Sequence, residues 1–379
     1  MAKGFYMTLM VGPMVPVPVG QDVLDALTSV QVTSASGGGE SSRSGFQLTF
    51  NLNKKSPLET LFLVAGSSLP PLIRVVIVVT INGTPEVLID GVVTRTDVAS
   101  GSESATSTLT VTGTDLTAVM NWISFDGFPF PGMPPEARVL LILAKYAMFG
   151  IIPMVLPSVL IDIPIPTDRI PKQVGKDLEY IEKLANDVGY VFYLKPGPAT
   201  GTTIAYWGPE IKVGVPQPAL NVDMDAHTNV ESLSFNYDAD KAVLPIVYIH
   251  NLESKVVIPI PIPNITPLNP PLGLVPAIPK NIEPLDIVAK YGPVRAALIG
   301  LAKAAQSAEV VSAKGSLDVL RYGRPLRSRE LVGVRGAGTA FDGLYYVKSV
   351  THNIKRGEYK QEFNLSRNGL ISTVPKVPV

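Results

Sequence analysis

Short runs of β-branched and aromatic residues, separated by turn residues, most strongly limit what this chain can fold into. Four such runs lie at residues 46–52, 74–81, 86–98 and 107–113. The second and third are separated by Asn-Gly, a dipeptide that favours a tight β-hairpin turn. Because such residues fit a pleated, half-buried surface, the pattern predicts a β domain over residues 1–121.

A second β region is predicted over residues 229–379, and it shows a weak internal echo of the first. The segments TFNLNKK, SFNYDAD and EFNLSRN begin at residues 49, 234 and 362. Two long hairpins are also introduced by an Asp-Gly pair, at Asp90 and at Asp342. Two explanations stay open, namely chance similarity among hairpins and two copies of one β-barrel unit.

Between these two regions, the sequence pattern of residues 122–228 predicts a mixed α+β domain. A first helix is predicted over residues 134–150: Pro134 and Pro135 suit its start, and Gly150 is a natural C-cap for it. A second helix over residues 178–188 has an apolar stripe, and Asp177 can cap its first turn. A third helix is predicted over residues 293–311, as an insertion in the second β region.

Residues 256–279 form an uncharged, apolar segment that contains eight prolines. The length could suggest a membrane span, but proline removes a backbone donor and fixes φ, so no spanning helix can form. Proline also cannot donate a hydrogen bond within a central strand. We therefore predict no membrane segment, and a proline-rich arm over residues 256–283 that lies extended across another domain or an adjacent subunit. A disordered loop is the alternative.

The C-terminal hairpin, residues 343–370, has an unusual apolar pattern. In its second strand Phe363 and Leu365 share a face with other apolar residues, as alternation requires. In its first strand, strict alternation places Tyr345 and Val347 on the face opposite the remaining apolar residues. That strand is therefore predicted to be apolar on both faces.

Composition excludes several classes of function. Charged residues make up 17% of the chain, against roughly 25% in an average globular protein, so part of the surface is expected to be covered by partners. The net charge is zero and no basic stripe is present, which argues against nucleic-acid binding. The chain has no cysteine, so thiolate catalysis and disulfides are excluded.

No motif assembles an active site, and we predict no catalytic residue, no cofactor and no metal. Asp223, Asp225 and His227 have ligand-capable side chains at a spacing of two, but no second cluster completes a ligand set. His352 has no partner nucleophile on a tight turn, so a structural role is favoured. The glycine-rich segment 333–343 precedes a strand, so it predicts a turn and not a phosphate-binding loop.

The C-terminal part of the chain resembles the phage late control gene D family, the baseplate hub proteins of contractile-tailed phages and of related extracellular contractile injection systems. The resemblance rests on the segment from LRYGRPLRSRELVGVRG to KQEFNLSRNGL (320–370), with support from KDLEYIEKLANDVGYVFYL and NVESLSFNYD. Together these touch most of residues 170–370. Residues 1–120 match only in their strand pattern.

This resemblance implies a mainly β fold with α+β insertions: two tail-tube-like β-barrel domains, a mixed middle domain and the proline-rich arm. It also implies a homotrimer whose ring joins a sixfold inner tube to a threefold spike. In such a ring, Tyr345 and Val347 become candidate interface residues, together with Ile258, Ile260 and Ile262 of the arm.

The implied role is that of a structural hub without enzyme activity. Its partners would be the inner tube or a tube-initiator protein, a separate spike protein, since the chain ends without a spike segment, and other baseplate components. The absence of a signal-peptide pattern predicts assembly in the cytoplasm, as part of a phage tail or an extracellular phage-tail-like particle. A hub with peptidoglycan-hydrolase activity and a secreted β-rich adhesin are the alternatives.

Overall fold

The computed structural model describes residues 4–36, 43–52, 62, 72–100, 107–122, 124–158, 166–167, 170–250, 257–262, 270–285 and 293–374.

The first part of the chain forms one half of a large sheet. Its strands are β1 (Phe5–Gly12), β2 (Val17–Pro18), β3 (Leu27–Ala35), β4 (Gly45–Leu52), β5 (Arg74–Ile81), β6 (Thr84–Ser100) and β7 (Ser107–Asp115), with a short helix α1 (Gln21–Ala26) before β3. Their spatial order is β3-β4-β7-β6-β5-β1-β2. Asn82 and Gly83 both have positive φ in the β5–β6 turn, which confirms the hairpin predicted there.

A mixed α+β region follows. It contains α2 (Pro135–Ala144), β8 (Ile151–Val155), α3 (Asp177–Asn186), β9 (Val191–Pro196) and β10 (Thr203–Gly208). The three strands form a separate sheet in the order β8-β10-β9, and the helices bury their apolar sides in a core of their own around Leu178 and Trp207. The first helix is shorter than predicted: α2 ends at Ala144, and Gly150, predicted as its C-cap, instead ends the separate 3₁₀ turn Ala147–Phe149 with a φ of 74°.

The prediction that Asp177 caps α3 is wrong. Asp177 is the first residue of the helix itself and is fully buried. Its carboxylate accepts hydrogen bonds from Tyr146 Oη at 2.7 Å and from Gln173 Nε2 at 2.6 Å, and it forms an ion pair with Lys145. The helix start is instead supported by Glu179, whose Oε2 accepts from the Lys176 N–H. Asp177 therefore joins the end of α2 to α3.

The rest of the chain supplies the other half of the large sheet and a small lobe. The strands are β11 (Gln217–Asn221), β12 (Ser232–Tyr237), β13 (Val243–His250), β14 (Val257–Pro261), β15 (Gly273–Pro276), β16 (Asn281–Pro284), β17 (Val311–Asp318), β18 (Leu331–Arg335), β19 (Gly343–Lys355), β20 (Glu358–Arg367) and β21 (Gly369–Ser372). Helix α4 (Pro293–Ser307) precedes β17, and α5 (Val319–Tyr322) follows it. The predicted third helix is thus present and ends earlier than expected.

The two halves of the large sheet repeat one strand order. In the first half the order is β3-β4-β7-β6-β5-β1, and in the second it is β12-β17-β20-β19-β18-β11. The order of these strands along the chain is also the same in the two halves. The one difference is that β1 is antiparallel to β5, whereas β11 is parallel to β18. The two hairpins introduced by Asp-Gly, β6–β7 and β19–β20, are equivalent in this repeat. The echoed segments that begin at residues 49, 234 and 362 lie in β4, β12 and β20, which are not equivalent strands, so that part of the echo does not reflect the repeat.

The halves are joined by an antiparallel pairing of β3 with β19, which makes one sheet of 13 strands. One hydrophobic core lies against both halves and contains, for example, Leu48 and Val111 from the first and Val350 and Phe363 from the second. The mainly β fold is confirmed. Closed barrels are not seen: among the described residues no pairing joins β3 to β1 or β12 to β11.

The small lobe contains two of the three described strands of the proline-rich arm. Strands β14 and β16 flank β13, and α4 packs on one face of this three-stranded sheet. Strand β15 leaves the lobe and pairs with β21. The described parts of the arm are extended, as predicted, with β14 and β16 on β13 and with β15 on β21. A contact of the arm with an adjacent subunit stays a prediction. Residues 256 and 263–269, which also belong to the arm, lie outside the described residues.

Candidate assembly surface

The interface hypothesis for Tyr345 and Val347 is wrong. Both side chains are fully buried in the large core of their own chain. The reason is a β-bulge at Lys348, where the β19–β20 register shifts between Val347 and Ser349. One extra residue reverses the alternation. Tyr345 and Val347 therefore share the core face with His352 and the other buried residues that follow the bulge.

The opposite face of β19 is also covered within the chain. Tyr346 is buried against Leu272, Leu331 and Leu344. Lys212 and Lys348 both place their ammonium groups 5.5 Å from the centre of its ring. The apolar pattern on both faces of this strand is thus explained by the bulge and by a second, smaller cluster.

The Arg-Asn-Gly that ends the hairpin holds two other segments. Arg367 is buried, and its guanidinium donates to the carbonyl oxygens of Gly369 at 2.7 Å, Asp342 at 2.8 Å and Ala340 at 2.6 Å. These bonds fix the glycine-rich turn before β19, which confirms that segment 333–343 is a turn between strands. Because burial opposes the charge, the pKa of Arg367 lies below its ordinary value.

Asn368 and Gly369, the two residues after Arg367, contact the proline-rich arm. Asn368 Oδ1 accepts from the Leu272 N–H at 2.7 Å. Gly369 lies so close to β15 that a Cβ on it would lie 2.7 Å from the Val275 carbonyl oxygen, and a Cβ on Gly273 would lie 2.4 Å from the Gly369 carbonyl carbon. Close backbone approach therefore requires glycine on both strands.

The three isoleucines of the arm lie in different environments. Ile262 is 5% exposed and packs with Val247 and Ala304 inside the lobe, while Ile260 is 38% exposed. The backbone of Ile258 pairs with Ile249. The structure therefore places Ile262 in the lobe's own core and leaves Ile260 available to a partner.

The outer face of the lobe is apolar and carries exposed side chains. On the face opposite α4, strand register brings Tyr248 beside Pro259 and Leu244 beside Ile282. Tyr248 is 41% exposed and Ile282 is 64% exposed. No charged residue of β13, β14 or β16 lies on this face, so it is a candidate contact surface.

A buried ion pair joins the first half of the sheet to the mixed region. Arg74 Nε donates to Asp90 Oδ1 at 2.7 Å, and Arg74 Nη2 donates to Asp90 Oδ2 at 2.6 Å. The same guanidinium donates to the Gly201 carbonyl at 2.9 Å, and Thr203 Oγ1 donates to Asp90. A two-point guanidinium–carboxylate contact orients both groups, so it fixes this junction geometrically.

A second charged cluster joins the mixed region to the second half. Lys212 and Lys348 each contact both Glu210 and Glu309, with nitrogen–oxygen distances from 2.5 to 3.4 Å. Burial by itself would raise the pKa of Glu210, but the two lysines hold it below its ordinary value. Glu309 follows α4, so the cluster also anchors the end of the lobe. Sequence reasoning missed both junctions because their members are distant along the chain.

The residues singled out for chemistry do not form an active site. His352 is buried, and its Nδ1 lies 2.7 Å from Tyr359 Oη and 3.2 Å from Gln361 Nε2. Burial lowers its pKa to about 3, so it is a neutral structural histidine. Asp225 and His227 lie in a short exposed 3₁₀ turn. Across the described ranges no group of three His, Asp or Glu residues could hold a metal ion.

An open groove of about 390 Å³ lies at the end of the sheet away from the mixed region. Its apolar lining comes from Phe5, Met7, Leu24, Leu27, Leu320 and Ile354. Lys355 and Arg356 are its charged lining residues, and Arg356 lies 3.6 Å from Asp25.

Among the described helices, none has the length and hydropathy needed to cross a bilayer.

No protein-family model matches this sequence, and no curated protein sequence matches it. Solved structures do match over the full chain. A tail protein from Neisseria meningitidis has 14% identity and a TM-score of 0.61, with 97% of this chain and 98% of that chain covered. A 43 kDa tail protein of prophage MuSo2 from Shewanella oneidensis has 14% identity and a TM-score of 0.60, covering 96% and 98%.

A third match is the Escherichia coli c3393 protein, which is described as a component of the type VI secretion system with structural similarity to bacteriophage T4 tail proteins. It has 11% identity and a TM-score of 0.51, covering 93% of this chain and 78% of that chain. At these identities the likeness concerns the fold. This chain therefore has the fold of phage tail and type VI secretion proteins.

Proposed function

We propose that this chain is a structural hub of the baseplate in a contractile, phage-tail-like particle. The observation that carries the proposal is the end-to-end match with two tail proteins, each covered over 98% of its own length. A match of that extent involves the mixed region and the lobe as well as the sheet. The late control gene D resemblance of residues 320–370 supports the finer assignment to the hub.

The repeat within the sheet supports a ring of three copies. Each chain carries two halves with the same strand order, so three chains supply six equivalent halves. A ring of this kind can meet a sixfold tube on one side and a threefold spike on the other. Its partners are then the inner tube or a tube-initiator protein, a separate spike protein and other baseplate components.

The hub acts by holding partners and not by catalysis. Its buried polar groups connect elements: Arg74 with Asp90 at one junction, Lys212 with Glu309 at the other, and Arg367 at the end of the hairpin. We propose assembly in the cytoplasm, followed by incorporation into a phage tail or an extracellular particle. The exposed face of the lobe is a contact surface for the tube, the spike or a neighbouring baseplate protein.

The test is deletion of the gene in a cell that produces the particles, with complementation by a tagged copy. The expected result is loss of assembled particles, with the tag then located by electron microscopy at the junction of tube and spike. Three copies per particle end should be counted. Particles that assemble normally without the chain, or a tag found along the sheath, would overturn the proposal.

A further inference from the structure

Strand β12 has an unprotected outer edge. Its six residues, SLSFNY, contain no proline and no charged side chain, and β17 is its one partner strand in the described part of the chain. The Asp238 N–H donates to the Val310 carbonyl at 2.9 Å on the β17 side. Since backbone groups alternate sides along a strand, the N–H groups of Leu233, Phe235 and Tyr237 point away from β17.

Proline blocks the outer edges of two other strands, β14 and β2. In β14 the Ile262 N–H donates to the Pro245 carbonyl, so alternation turns the nitrogens of Pro259 and Pro261 toward the outer edge. These two positions offer no donor to another strand. At the far end of the large sheet the edge strand β2 has two residues, of which Pro18 is one. The outer edge of β12 has no such proline.

The repeat within the large sheet shows which strand of the first half is equivalent to β12. In the first half its equivalent is β3, because each is the last strand of its half and pairs with the equivalent strands β4 and β17. The outer edge of β3 is occupied by β19 of the same chain. Within one chain, the equivalent place beside β12 is empty in the described residues.

The repeat also identifies the missing partner. The equivalent of β19 is β6, and the two strands carry a bulge at the same place: the register shifts at Thr94 in β6 and at Lys348 in β19. After the bulge, β19 pairs with β20 on one side and with β3 on the other. The segment of β6 after its bulge, residues 95–99, pairs with β7 and has no other described partner.

We propose that β12 of one copy pairs antiparallel with residues 95–99 of β6 in a neighbouring copy, repeating between chains the β3–β19 pairing found within each chain. Six strands separate β12 from β6 along the sheet of one chain, namely β17, β20, β19, β3, β4 and β7. The occupant is therefore a second copy. The pairing rests on the proposed ring and supplies the contact that closes it.

The β3–β19 register within one chain predicts which residues of β12 and β6 lie opposite each other between two copies. In the chain, Ser349 lies opposite Ala35 and Thr351 lies opposite Thr33. The bulges make Arg95 the equivalent of Ser349 and Asp97 the equivalent of Thr351.

The pairings of β3 with β4 and of β12 with β17 show which positions of β3 and β12 are equivalent. They make Asn236 the equivalent of Thr33 and Asp238 the equivalent of Ala35. Between copies, Arg95 thus lies opposite Asp238, and Asp97 lies opposite Asn236.

The side chains fit this register. The Arg95 cation faces the Asp238 carboxylate, and no two like charges are opposed over residues 95–99. In isolation Arg95 has an exposed ion pair with Asp97 on its own strand, a weak interaction that it can exchange. On the other face Val98, which is 45% exposed, would lie beside Phe235. Strand addition of this kind gains affinity from main-chain bonds and specificity from such side-chain pairs.

The test uses the fact that the chain has no cysteine. Asp97→Cys and Asn236→Cys are made in separate chains, one of which carries a tag, so that any mixed disulfide joins two copies. Both positions are exposed. The control replaces Asn236→Cys by Ser234→Cys, which is exposed on the same face but two residues out of register. Diagonal neighbours are too far apart for a disulfide without backbone movement.

The expected result, under oxidised glutathione, is at least about tenfold more mixed disulfide for the 97–236 pair than for the 97–234 pair. Sedimentation of the untreated wild-type protein, and electron microscopy of particles, report separately whether copies form a ring. A ring without preferential 97–236 cross-linking would overturn this pairing and leave the proposed hub intact. Absence of any ring, in solution and in particles, would overturn both.

Exchanging the charges of Arg95 and Asp238 is a second test of this register. Arg95→Asp should weaken self-association about tenfold, and combining it with Asp238→Arg should restore most of the loss. Circular dichroism controls for folding, since Asp238 also accepts a hydrogen bond from the Asp240 N–H. Equal weakening in the single and double variants would contradict the register.

Discussion

The guanidinium of Arg367 lies 4.6 Å from the centre of the Tyr345 ring, and the Tyr345 hydroxyl donates to the Phe341 carbonyl at 2.8 Å. The two residues therefore form one buried unit that holds the turn before β19 against the core. Tyr345 contributes to the stability of the chain through this unit, and it presents no surface to a neighbouring subunit.

Tyr345→Ala is expected to lower the free energy of unfolding by about 3–5 kcal/mol, as is usual for the loss of a buried aromatic ring. Urea unfolding followed by circular dichroism measures the change. Tyr248→Ala is the matched control because Tyr248 is exposed, and it should change stability by no more than about 0.5 kcal/mol. A Tyr345 variant of normal stability would show that the face assignment in β19 is wrong.

Arg74→Met is expected to destabilise the protein by about 3–5 kcal/mol, because it leaves the buried Asp90 carboxylate without its cation. The double variant Arg74→Met with Asp90→Leu should recover a large part of that loss, since no unpaired charge then remains. Thermal and urea unfolding of the four members of this double-mutant cycle provide the test. Additive losses would mean that the two side chains act independently.

His352 should make stability fall in acid. Burial lowers its folded-state pKa to about 3, below the unfolded value of about 6.5. Between these values the unfolded chain binds a proton that the folded chain does not, so this contribution is complete above pH 6.5 and is lost as pH falls toward 3.

The slope from this one group is about 1.4 kcal/mol per pH unit within that window. Carboxylates also titrate there, so the measurement is the difference between wild type and His352→Gln across pH 4 to 7. Gln retains an acceptor for the Tyr359 hydroxyl. The exposed His227→Gln is the matched control for replacing a histidine by glutamine. Parallel curves for wild type and His352→Gln would contradict the prediction.

Ile262→Ala is expected to destabilise the lobe by about 2–5 kcal/mol, because its side chain fills the small core under α4. Ile260→Ala should have little effect on stability, since Ile260 is partly exposed on the edge strand. Amide hydrogen exchange of α4 is the appropriate measurement, as the lobe can open without the large sheet. Equal protection in the two variants would show that the lobe has no separate core at Ile262.

Local chemistry determined much of the fold before any tertiary contact is considered. The β-branched runs predict the strands, Asn82-Gly83 predicts its hairpin, and the prolines of the arm exclude a helix over residues 258–279. The two long hairpins introduced by Asp90-Gly91 and Asp342-Gly343 point to a duplicated unit, whereas the pattern shared by residues 49–55, 234–240 and 362–368 falls on strands that are not equivalent. Each of these inferences depends on φ/ψ preferences or on the period of two, which act within a few residues.

What the sequence could not determine depends on contacts between distant residues. The bulge at Lys348 decides which face of β19 carries Tyr345, and a bulge is a property of two strands paired in register. Likewise, Arg74 meets the Gly201 carbonyl, and Lys212 meets Glu309, through the placement of whole elements. Alternation along one strand contains no information about its partner, so the tertiary structure alone assigns these side chains to core, junction or open edge.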